Sequence, residues 1–425
     1  MKISYVNGVI LDGTENMTAV KGKCIVTENG IITDICDGAP ADGEIIDLKG
    51  AYIMPGLINL HVHLPAGGNP STTKTDVKKL VKIVNSNPIT RFVLKKVCEN
   101  NAKQQLMSGV TTIRTVGGIG TCDSDLRNSI NSGKTLGPRI LASDMAVSVP
   151  GGHMAGSLAY EATTAEEAAE YVRKIAKAKP DLIKVMITGG VLDAKKKGEP
   201  GELKMMPDLV KAACDTAHSL GLKVAAHVES PEGVKIALEN GVDTVEHGSK
   251  TDAEIIGLFK KHNACDVATF SPALPCAKFD RSVMNTTETE QFNGNIVFEG
   301  IIDCARKCLE NGITVGLGTD TGCPYITHYD TWREVCYFQK YCGVSNAFAL
   351  HTATLVNAKI AGIDYETGSI EKGKSADMII TGENPLENLA ALRNVRSVVI
   401  KGRYIAEARV KRISSIDSQL DKYVN

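Results

Sequence analysis

Four histidines stand where short apolar segments of the chain end. His61 and His63 close the segment GLINLHVH, and the segments VAAH and TVEH end on His227 and His247. Side chains two residues apart in a strand point to the same side, so His61 and His63 can reach one metal ion. Imidazole is a common ligand of zinc and of other transition metals. Each histidine taken singly is more often structural, but the four together indicate a metal site.

A lysine and an aspartate complete this set. Lys184 lies inside the apolar segment DLIKVMIT, where an ammonium group is unfavourable unless it is paired or loses its proton. A neutral lysine amine can add carbon dioxide to become a carbamate, which could bridge two metal ions; an ion pair with a barrel carboxylate is the alternative. Asp320 ends VGLGTD and could bind a metal and accept a proton from metal-bound water, or form an Asx turn.

Eight apolar runs that alternate with helical patterns carry these residues. Eight βα units over roughly 300 residues predict a (β/α)8 barrel, whose active site lies at the carboxyl ends of the strands. A doubly wound sheet is the alternative, but it usually has fewer strands. The predicted strands are Leu57–His63, Val110–Thr115, Arg139–Ser143, Leu182–Thr188, Lys223–Val228, Asp243–His247, Asp266–Phe270 and Ile313–Gly318.

Both ends of the chain are predicted to form β structure. The Asn-Gly pairs at 7–8 and 29–30 each predict a hairpin, and SADMIIT and VRSVVIKGRYI predict strands near the other end. The simplest arrangement pairs residues 1–55 with residues 356–425 in one small β-sandwich domain, with a barrel of residues 56–355 inserted between them. The polar segment SSIDSQLDKYVN is expected to be loosely held.

The composition excludes several classes of protein. The 425 residues are 43% hydrophobic and 23% charged, which is typical of globular proteins. The net charge of -1 provides no general attraction for nucleic acid or for an anionic membrane. No signal peptide or membrane-spanning segment is expected, and twelve cysteines without a CxxC pair favour reduced thiols in the cytoplasm. Cys304 and Cys308, one helical turn apart, look more like a thiol pair than a metal knuckle.

Taken together, the residues at the strand ends resemble the ligand set of the two-metal members of the amidohydrolase superfamily. The resemblance runs from GLINLHVH to GLGTD and includes the divided β domain. It implies two divalent ions, with zinc as the expected metal, a hydroxide between them, and Asp320 as the base that passes a proton to the leaving nitrogen. It implies that His61, His63 and Asp320 bind the more buried ion, that His227 and His247 bind the more exposed one, and that a carboxylated Lys184 bridges them.

Within this superfamily the chain resembles the branch of Xaa-Pro and Xaa-Arg dipeptidases, carboxypeptidases and amidases that is related to imidazolonepropionase. The segments GVTTIRTVGG, PGGHMAG and ENGVDTVEHGS carry this resemblance. It implies that His153, in PGGHMAG, binds substrate or stabilises an oxyanion; a loop histidine is the alternative. Imidazolonepropionase itself fits less well, because its relatives use one metal and lack a bridging lysine, whereas Lys184 is present here.

Glu229 departs from the family pattern, since some dipeptidases of this branch have HAY where this chain has HVE. A glutamate would repel a substrate carboxylate and favour a cation or an amine; a solvated loop residue is the alternative. Two long segments, residues 64–90 and 271–295, are candidate lids. The segment after Asp320 places Tyr325 and His328 as candidate substrate residues.

The sequence therefore predicts a cytoplasmic, binuclear hydrolase of an amide bond in a dipeptide, an N-acyl amino acid or a cyclic amide. A heterocycle deaminase on the same fold is the alternative, which Lys184 disfavours. A non-enzymatic binding protein is a third possibility, which the complete ligand set disfavours. The expected partners are a small-molecule substrate and, because barrels of this kind often form symmetric dimers, further copies of the chain. Nucleic acid and membranes are not expected as partners.

Overall fold

The computed structural model describes residues 1–40, 42–70 and 77–424. These residues group into two compact units. The first unit comprises Met1–Leu60, Ala102–Ile113 and His328–Asn425, and the second comprises His61–Asn101 and Arg114–Thr327. The domain boundaries expected near residues 55 and 356 stay a prediction.

The elements below are numbered in chain order. The strands are β1 (Lys2–Val6), β2 (Val9–Leu11), β3 (Ala19–Val20), β4 (Cys24–Glu28), β5 (Ile31–Cys36), β6 (Glu44–Asp47), β7 (Tyr52–Pro55), β8 (Leu57–Val62), β9 (Val110–Thr115), β10 (Arg139–Leu141), β11 (Ala146–Ser148), β12 (Ala159–Glu161), β13 (Leu182–Met186), β14 (Lys223–Val228), β15 (Thr244–His247), β16 (Cys265–Ala268), β17 (Val315–Leu317), β18 (Met378–Thr381), β19 (Val395–Ile400) and β20 (Arg403–Ile405). The α-helices are α1 (Val77–Ser86), α2 (Pro88–Met107), α3 (Cys122–Asn131), α4 (Ala165–Ala176), α5 (Pro207–Ser219), α6 (Pro231–Glu239), α7 (Ala253–His262), α8 (Phe270–Lys278), α9 (Arg281–Met284), α10 (Glu288–Glu310), α11 (Thr331–Cys342), α12 (Asn346–His351), α13 (Asn357–Ala361) and α14 (Ser414–Leu420).

The predicted β-sandwich is built from both ends of the chain. One sheet has the order β5-β4-β1-β6, and the other has the order β20-β19-β18-β7-β2-β3. Strand β18, from the second end, pairs antiparallel with β7, from the first, and brings Ile380 opposite Ile53. Apolar side chains of both sheets, such as Ile3 and Met378, share one buried core. This shared core is what requires the two distant segments to meet.

One of the two hairpin predictions is confirmed and the other is wrong. The Asn-Gly pair at 29–30 joins β4 to β5 in an antiparallel hairpin, with positive φ at both residues. The pair at 7–8 instead carries the chain from one sheet to the other, because β1 pairs with β4 and β6 whereas β2 pairs with β3 and β7. Burying Tyr5 and Ile10 in the core between the sheets outweighs the local turn preference.

The predicted (β/α)8 barrel is confirmed. Seven parallel strands follow the order β12-β11-β13-β14-β15-β16-β17, and β10-β9-β8 form a further sheet. Every residue of β8, β9 and β13 is buried, as expected for parallel strands that are covered on both faces. Side-chain oxygens of Thr164, Asp252 and Thr287 cap the starts of α4, α7 and α10.

The third barrel strand is not the single run predicted for Arg139–Ser143. It is divided into β10, in the sheet with β9, and β11, which pairs with β13. Asp144 stands between them with a φ of 57°, a left-handed conformation that interrupts a strand. The backbone N–H of Ser124 donates to the carboxylate of Asp144 over 3.0 Å and holds this break in place.

The polar segment near the end of the chain is held by the fold, so the expectation of a loose tail is wrong. Ile416 and Leu420 of α14 are buried. The buried guanidinium of Arg333 donates to Asp417 over 2.7 Å and to Asp421 over 2.6 Å. These charge-assisted hydrogen bonds to a buried guanidinium, together with the buried apolar side chains, hold the polar segment in place.

The two candidate lids have different outcomes. Residues 71–76 of the first lie outside the described part of the chain, and Val77–Ser86 after them form α1. Most of the second, residues 271–295, is helical and belongs to α8, α9 and α10. Among the described residues, none of the helices has the length and apolar character needed to cross a bilayer.

Candidate metal centre

The structure brings the four histidines of the predicted ligand set together. The ring centroids of His61 and His63 are 5.4 Å apart, and those of His61 and His247 are 4.9 Å apart. His227 lies 4.7 Å from His247 by the same measure. His61, His227 and His247 are buried, whereas His63 keeps some exposure to solvent. Imidazole rings this close together can bind the same cation.

Asp320 faces the first pair of histidines. One carboxylate oxygen lies 3.1 Å from Nε2 of His63 and 3.5 Å from Nε2 of His61. Burial would raise the pKa of Asp320, but the charges of His61 and His63 and the hydrogen bond from His63 outweigh it and hold the pKa well below its usual range. Asp320 is therefore a carboxylate at neutral pH, able to bind a cation or accept a proton.

Close packing and backbone strain position Asp320. A side chain on Gly318, two residues earlier, would place its Cβ only 2.4 Å from Cβ of His61, so glycine is required there. Asp320 itself has a φ of 52°, and His247 has a φ of 71°. The left-handed conformation is unfavourable for a residue with a side chain, by about 1 kcal/mol or more, and such strain clusters at functional sites.

Hydrogen bonds fix the orientation of the first two rings. Nδ1 of His61 donates to the carboxylate of Glu246 over 2.8 Å, and Nδ1 of His63 donates to the carbonyl of Gly117 over 2.9 Å. These contacts turn Nε2 of each ring toward Asp320. Such outer hydrogen bonds are characteristic of histidines that bind metals.

Burial controls the protonation of most of these rings. It lowers the pKa of His61 to about 4, and it lowers the pKa of His227 and His247 well below the usual value. For His63, burial acts in the same direction, but the hydrogen bond with Asp320 and its charge outweigh it and raise the pKa. Three of the four rings are therefore neutral at physiological pH, which is the form that binds a metal.

Lys184 is buried in β13, only 1% exposed, and its Nζ has no hydrogen-bond partner within the described residues. Burial lowers the pKa of the amine from 10.5 to about 8, against the charges of Glu246 and Asp320. Burying an amine without a hydrogen-bond partner is energetically unfavourable unless another group interacts with it. Addition of carbon dioxide would supply that group, so the residues present fit a carboxylated lysine between two cations.

Sequence reasoning missed a buried ion pair behind the histidines. Nη2 of Arg114 lies 2.6 Å from Oε1 of Glu246, and the other oxygen of Glu246 accepts from His61. Both charged residues lie within otherwise apolar strands, β9 and β15. The same argument that singled out Lys184, an ionisable group in a buried strand, would have found them.

His153 is stacked on one of the clustered histidines. Its ring lies 4.1 Å from that of His227, with an angle of 7° between the planes. Nδ1 of His153 donates to the carboxylate of Asp193 over 2.6 Å, and Asp193 also accepts the backbone N–H of Gly190. Asp193 is a second residue that the sequence did not reveal, because nothing in GGVLDA shows that it meets a residue forty positions earlier.

Glu229 lies beside the second pair of histidines. A carboxylate oxygen and the ligand nitrogens of His227 and His247 all fall within 4.8 Å of one another. Oε2 is buried and has no hydrogen-bond partner within the described residues. Burial, with the charges of Asp320 and Asp193, raises the pKa of Glu229 well above its usual range. A cation that binds beside Glu229 would therefore stabilise its carboxylate form.

The two remaining candidate residues have structural contacts. The hydroxyl of Tyr325 donates to the carbonyl of Val283 over 2.8 Å, and its ring meets Phe279 edge-on. His328 is buried in the other unit, with Nδ1 3.3 Å from Nε2 of Gln105. Their substrate roles stay predictions.

The chain is similar to several known proteins. The chain is 25% identical over 383 residues to an ochratoxinase of Aspergillus niger, covering 81% of this chain and 73% of that protein. It is 22% identical over 427 residues to an imidazolonepropionase of Picrophilus torridus, covering 94% and 96%. A crystal structure from Bifidobacterium longum, provisionally assigned as a prolidase, is 36% identical, has a TM-score of 0.87 and is matched over 99% of this chain and 98% of that one.

A second solved structure, a Xaa-Pro dipeptidase with methionine bound in its active site, is 29% identical and has a TM-score of 0.84. The match covers 96% of this chain and all of that one, as 100% of its residues align. The family description "Amidohydrolase family" matches residues 52–405. The chain therefore belongs to the amidohydrolase family.

Proposed function

We propose that this protein is a binuclear, metal-dependent hydrolase of an amide C–N bond. The observation that carries the proposal is the buried Lys184 amine without a hydrogen-bond partner, close enough to the histidines and to Asp320 to interact with their charges. The similarity to a Xaa-Pro dipeptidase supports the reaction class. A dipeptide, an N-acyl amino acid or a cyclic amide is the proposed substrate.

The proposed ligands divide between two divalent ions, with zinc favoured by the imidazoles. His61, His63 and Asp320 would hold one ion, and His227 and His247 would hold the other. A carboxylated Lys184 would bind both ions. The neutral amine of Lys184 would form a bond to the carbon of carbon dioxide and release one proton. Bound there, the ions would lower the pKa of water and polarise the substrate carbonyl.

The chain's own groups would move the proton and orient the substrate. Asp320 would accept a proton from the attacking water and deliver it to the leaving nitrogen. The hydrogen bond to Asp193 fixes the ring of His153, which would contact the substrate oxygen as negative charge develops there. Glu229 would face a positively charged or hydrogen-bond-donating part of the substrate.

The direct test is a screen of dipeptides, N-acyl amino acids and lactams, with metal analysis of the same preparation. We expect two ions per chain, a carbamate signal in ¹³C NMR after labelling with bicarbonate, and hydrolysis of at least one of these amides. One tightly bound ion, an unmodified Lys184 and deamination of a heterocycle would instead identify the alternative, a deaminase.

Asp193 provides a prediction about the positioning of His153. Asp193→Asn should lower kcat by about tenfold with little change in KM, because it removes the charged hydrogen-bond acceptor that orients the ring of His153. Metal content should stay the same, since Asp193 is not a proposed ligand. Glu199→Gln, an exposed carboxylate in the same connection, is the control. Equal loss in both variants, or loss of metal with Asp193→Asn, would contradict a positioning role.

Glu229 provides a prediction about specificity. If it reads substrate charge, Glu229→Gln should lower kcat/KM for a cationic dipeptide by about tenfold or more, because a charge-assisted hydrogen bond contributes about 1.5–3 kcal/mol. A neutral substrate of similar size should lose much less. The control is Glu232→Gln, at an exposed position on α6. An equal loss for both substrates would contradict charge reading, and an accompanying loss of metal would make Glu229 a ligand.

We also propose that the protein works as a homo-oligomer in the cytoplasm. Symmetric dimers are the commonest assembly of soluble enzymes. Light scattering at micromolar concentration should give a mass at least twice the 45.3 kDa of one chain. A measured mass equal to that of one chain at these concentrations would reject the proposed oligomer.

A further inference from the structure

A second group of metal-ligating side chains lies outside the proposed catalytic centre. It comprises Asp266 of β16 and two cysteines of α10, Cys304 and Cys308. The cysteines are four residues apart, so they share one face of the helix. One oxygen of Asp266 and the two sulfurs all lie within 4.8 Å of one another. Strand and helix thus bring together residues that are about forty positions apart in the chain.

This cluster is completely buried and incompletely satisfied. Asp266, Cys304 and Cys308 are each 0% exposed. Oδ1 of Asp266 accepts a hydrogen bond from the thiol of Cys304 over 3.7 Å, but Oδ2 has no partner within the described residues. None of the ion pairs found in the described part of the chain involves Asp266. A buried carboxyl oxygen without a partner is unfavourable by about 1–3 kcal/mol.

The spacing of two of the three ligand atoms is close to that expected on a tetrahedral zinc ion. Zinc binds thiolate sulfur at about 2.3 Å and carboxylate oxygen at about 2.0 Å, so a sulfur and an oxygen on one zinc ion lie about 3.5 Å apart. The 3.7 Å between Sγ of Cys304 and Oδ1 of Asp266 is close to that value. Gly248 leaves the space open: a Cβ there would lie 2.8 Å from Sγ of Cys304 and 3.0 Å from Oδ1 of Asp266.

The carboxyl group of Asp266 has only weak hydrogen-bonding partners in this cluster, since the group that faces its Oδ1 is a thiol. A protonated carboxyl group would still need an acceptor, and sulfur is a weak one.

We propose that Asp266, Cys304 and Cys308 bind a third metal ion, zinc by ligand preference, between the barrel wall and helix α10. Two thiolates and a carboxylate would bind the dication, leaving one net negative charge, and would give the orphaned oxygen a partner. The ion would be structural, because the site is closed to solvent and joins α10 to β16. The cysteines would lose their protons as the ion binds, so the site would fill while the chain folds.

The test uses cobalt as a spectroscopic substitute, supplied in the growth medium so that it enters during folding. A thiolate-to-cobalt charge-transfer band in the near ultraviolet reports sulfur ligands, and the proposed catalytic ligands contain no sulfur. The band should be present in the wild-type protein and lost in Cys304→Ser and in Cys308→Ser. It should persist in Cys214→Ser, a cysteine equally buried on α5.

Cys323→Ser is the decisive second control, because this thiol hydrogen-bonds to Asp320 in the proposed catalytic centre. Loss of the band in Cys323→Ser, with retention in the α10 variants, would overturn the proposal. So would absence of the band from folded, cobalt-loaded wild-type protein. If the α10 variants do not fold, zinc-edge X-ray absorption of the wild-type protein decides: sulfur neighbours at about 2.3 Å are expected, and their absence refutes the site.

Discussion

Replacing Lys184 with alanine should remove both metal binding and amide hydrolysis. The variant loses the only proposed ligand that reaches both ions, and it leaves a cavity where the buried amine stood. Loss of an outer partner of a metal ligand commonly costs 10–100-fold in affinity or activity, so loss of the bridge should cost more than about 100-fold. Elemental analysis should give fewer than two ions per chain, and kcat/KM should fall in parallel.

The lowered pKa of Lys184 explains why this lysine, among many, is suited to carboxylation. A pKa of about 8 leaves roughly one amine in ten neutral at pH 7, about 300-fold more than for a pKa of 10.5. Reloading of metal-free protein should therefore speed up as the pH rises toward 8, and bicarbonate should accelerate it. Short carboxylic acids should partly rescue Lys184→Ala. Lys211→Ala, at an exposed position, is the control.

Two ions per chain together with normal turnover in Lys184→Ala would reject the bridging role. In that case the ammonium group would serve only as a counter-charge to Glu246 and Asp320.

Replacing Asp320 with asparagine should depress turnover strongly while preserving the fold. Asparagine keeps the shape of the side chain and can occupy the same backbone conformation, but its amide cannot accept a proton. General acid–base catalysis contributes about 10²–10⁴-fold, so kcat should fall within that range. KM should change less, and metal content should fall only partially. Circular dichroism and the unfolding midpoint should stay close to those of the wild-type protein.

The control for this variant is Asp252→Asn, which changes an exposed carboxylate at the start of α7. Wild-type turnover in Asp320→Asn would assign the proton transfer to another group. Complete loss of metal would instead show that Asp320 acts chiefly as a ligand, and kcat would then have to be measured after reloading with excess metal.

Most of the fold could be predicted from patterns among residues close together in the sequence. Alternating apolar and helical runs are read directly from neighbouring residues, and so is the hairpin at Asn29 and Gly30. The prediction failed where distant segments compete with local preference. The turn at residues 7–8 joins two sheets, and Asp144 divides the third barrel strand because Ser124, twenty residues earlier, holds it there.

The residues of the candidate site could also be identified from the sequence. His61, His63, Lys184 and Asp320 stand out because polar groups are rare within or at the ends of apolar strands. The residues that hold them in place could not be identified from the sequence. Arg114 and Glu246 lie on β9 and β15, which are separated by more than a hundred residues, and only the closed barrel brings them behind His61.

The sequence by itself determined that this chain forms a barrel with a divided β domain and that candidate nitrogen and oxygen ligands lie in or at the ends of its strands. It could do so because strand periodicity and burial depend on side chains close together along the chain. Only the tertiary structure decided which groups orient those ligands, that Asp193 holds His153, and that Asp266 meets Cys304 and Cys308. Hydrogen bonds and metal ligation act over about 2–4 Å, and contacts at that range between distant segments exist only once the strands have taken their register.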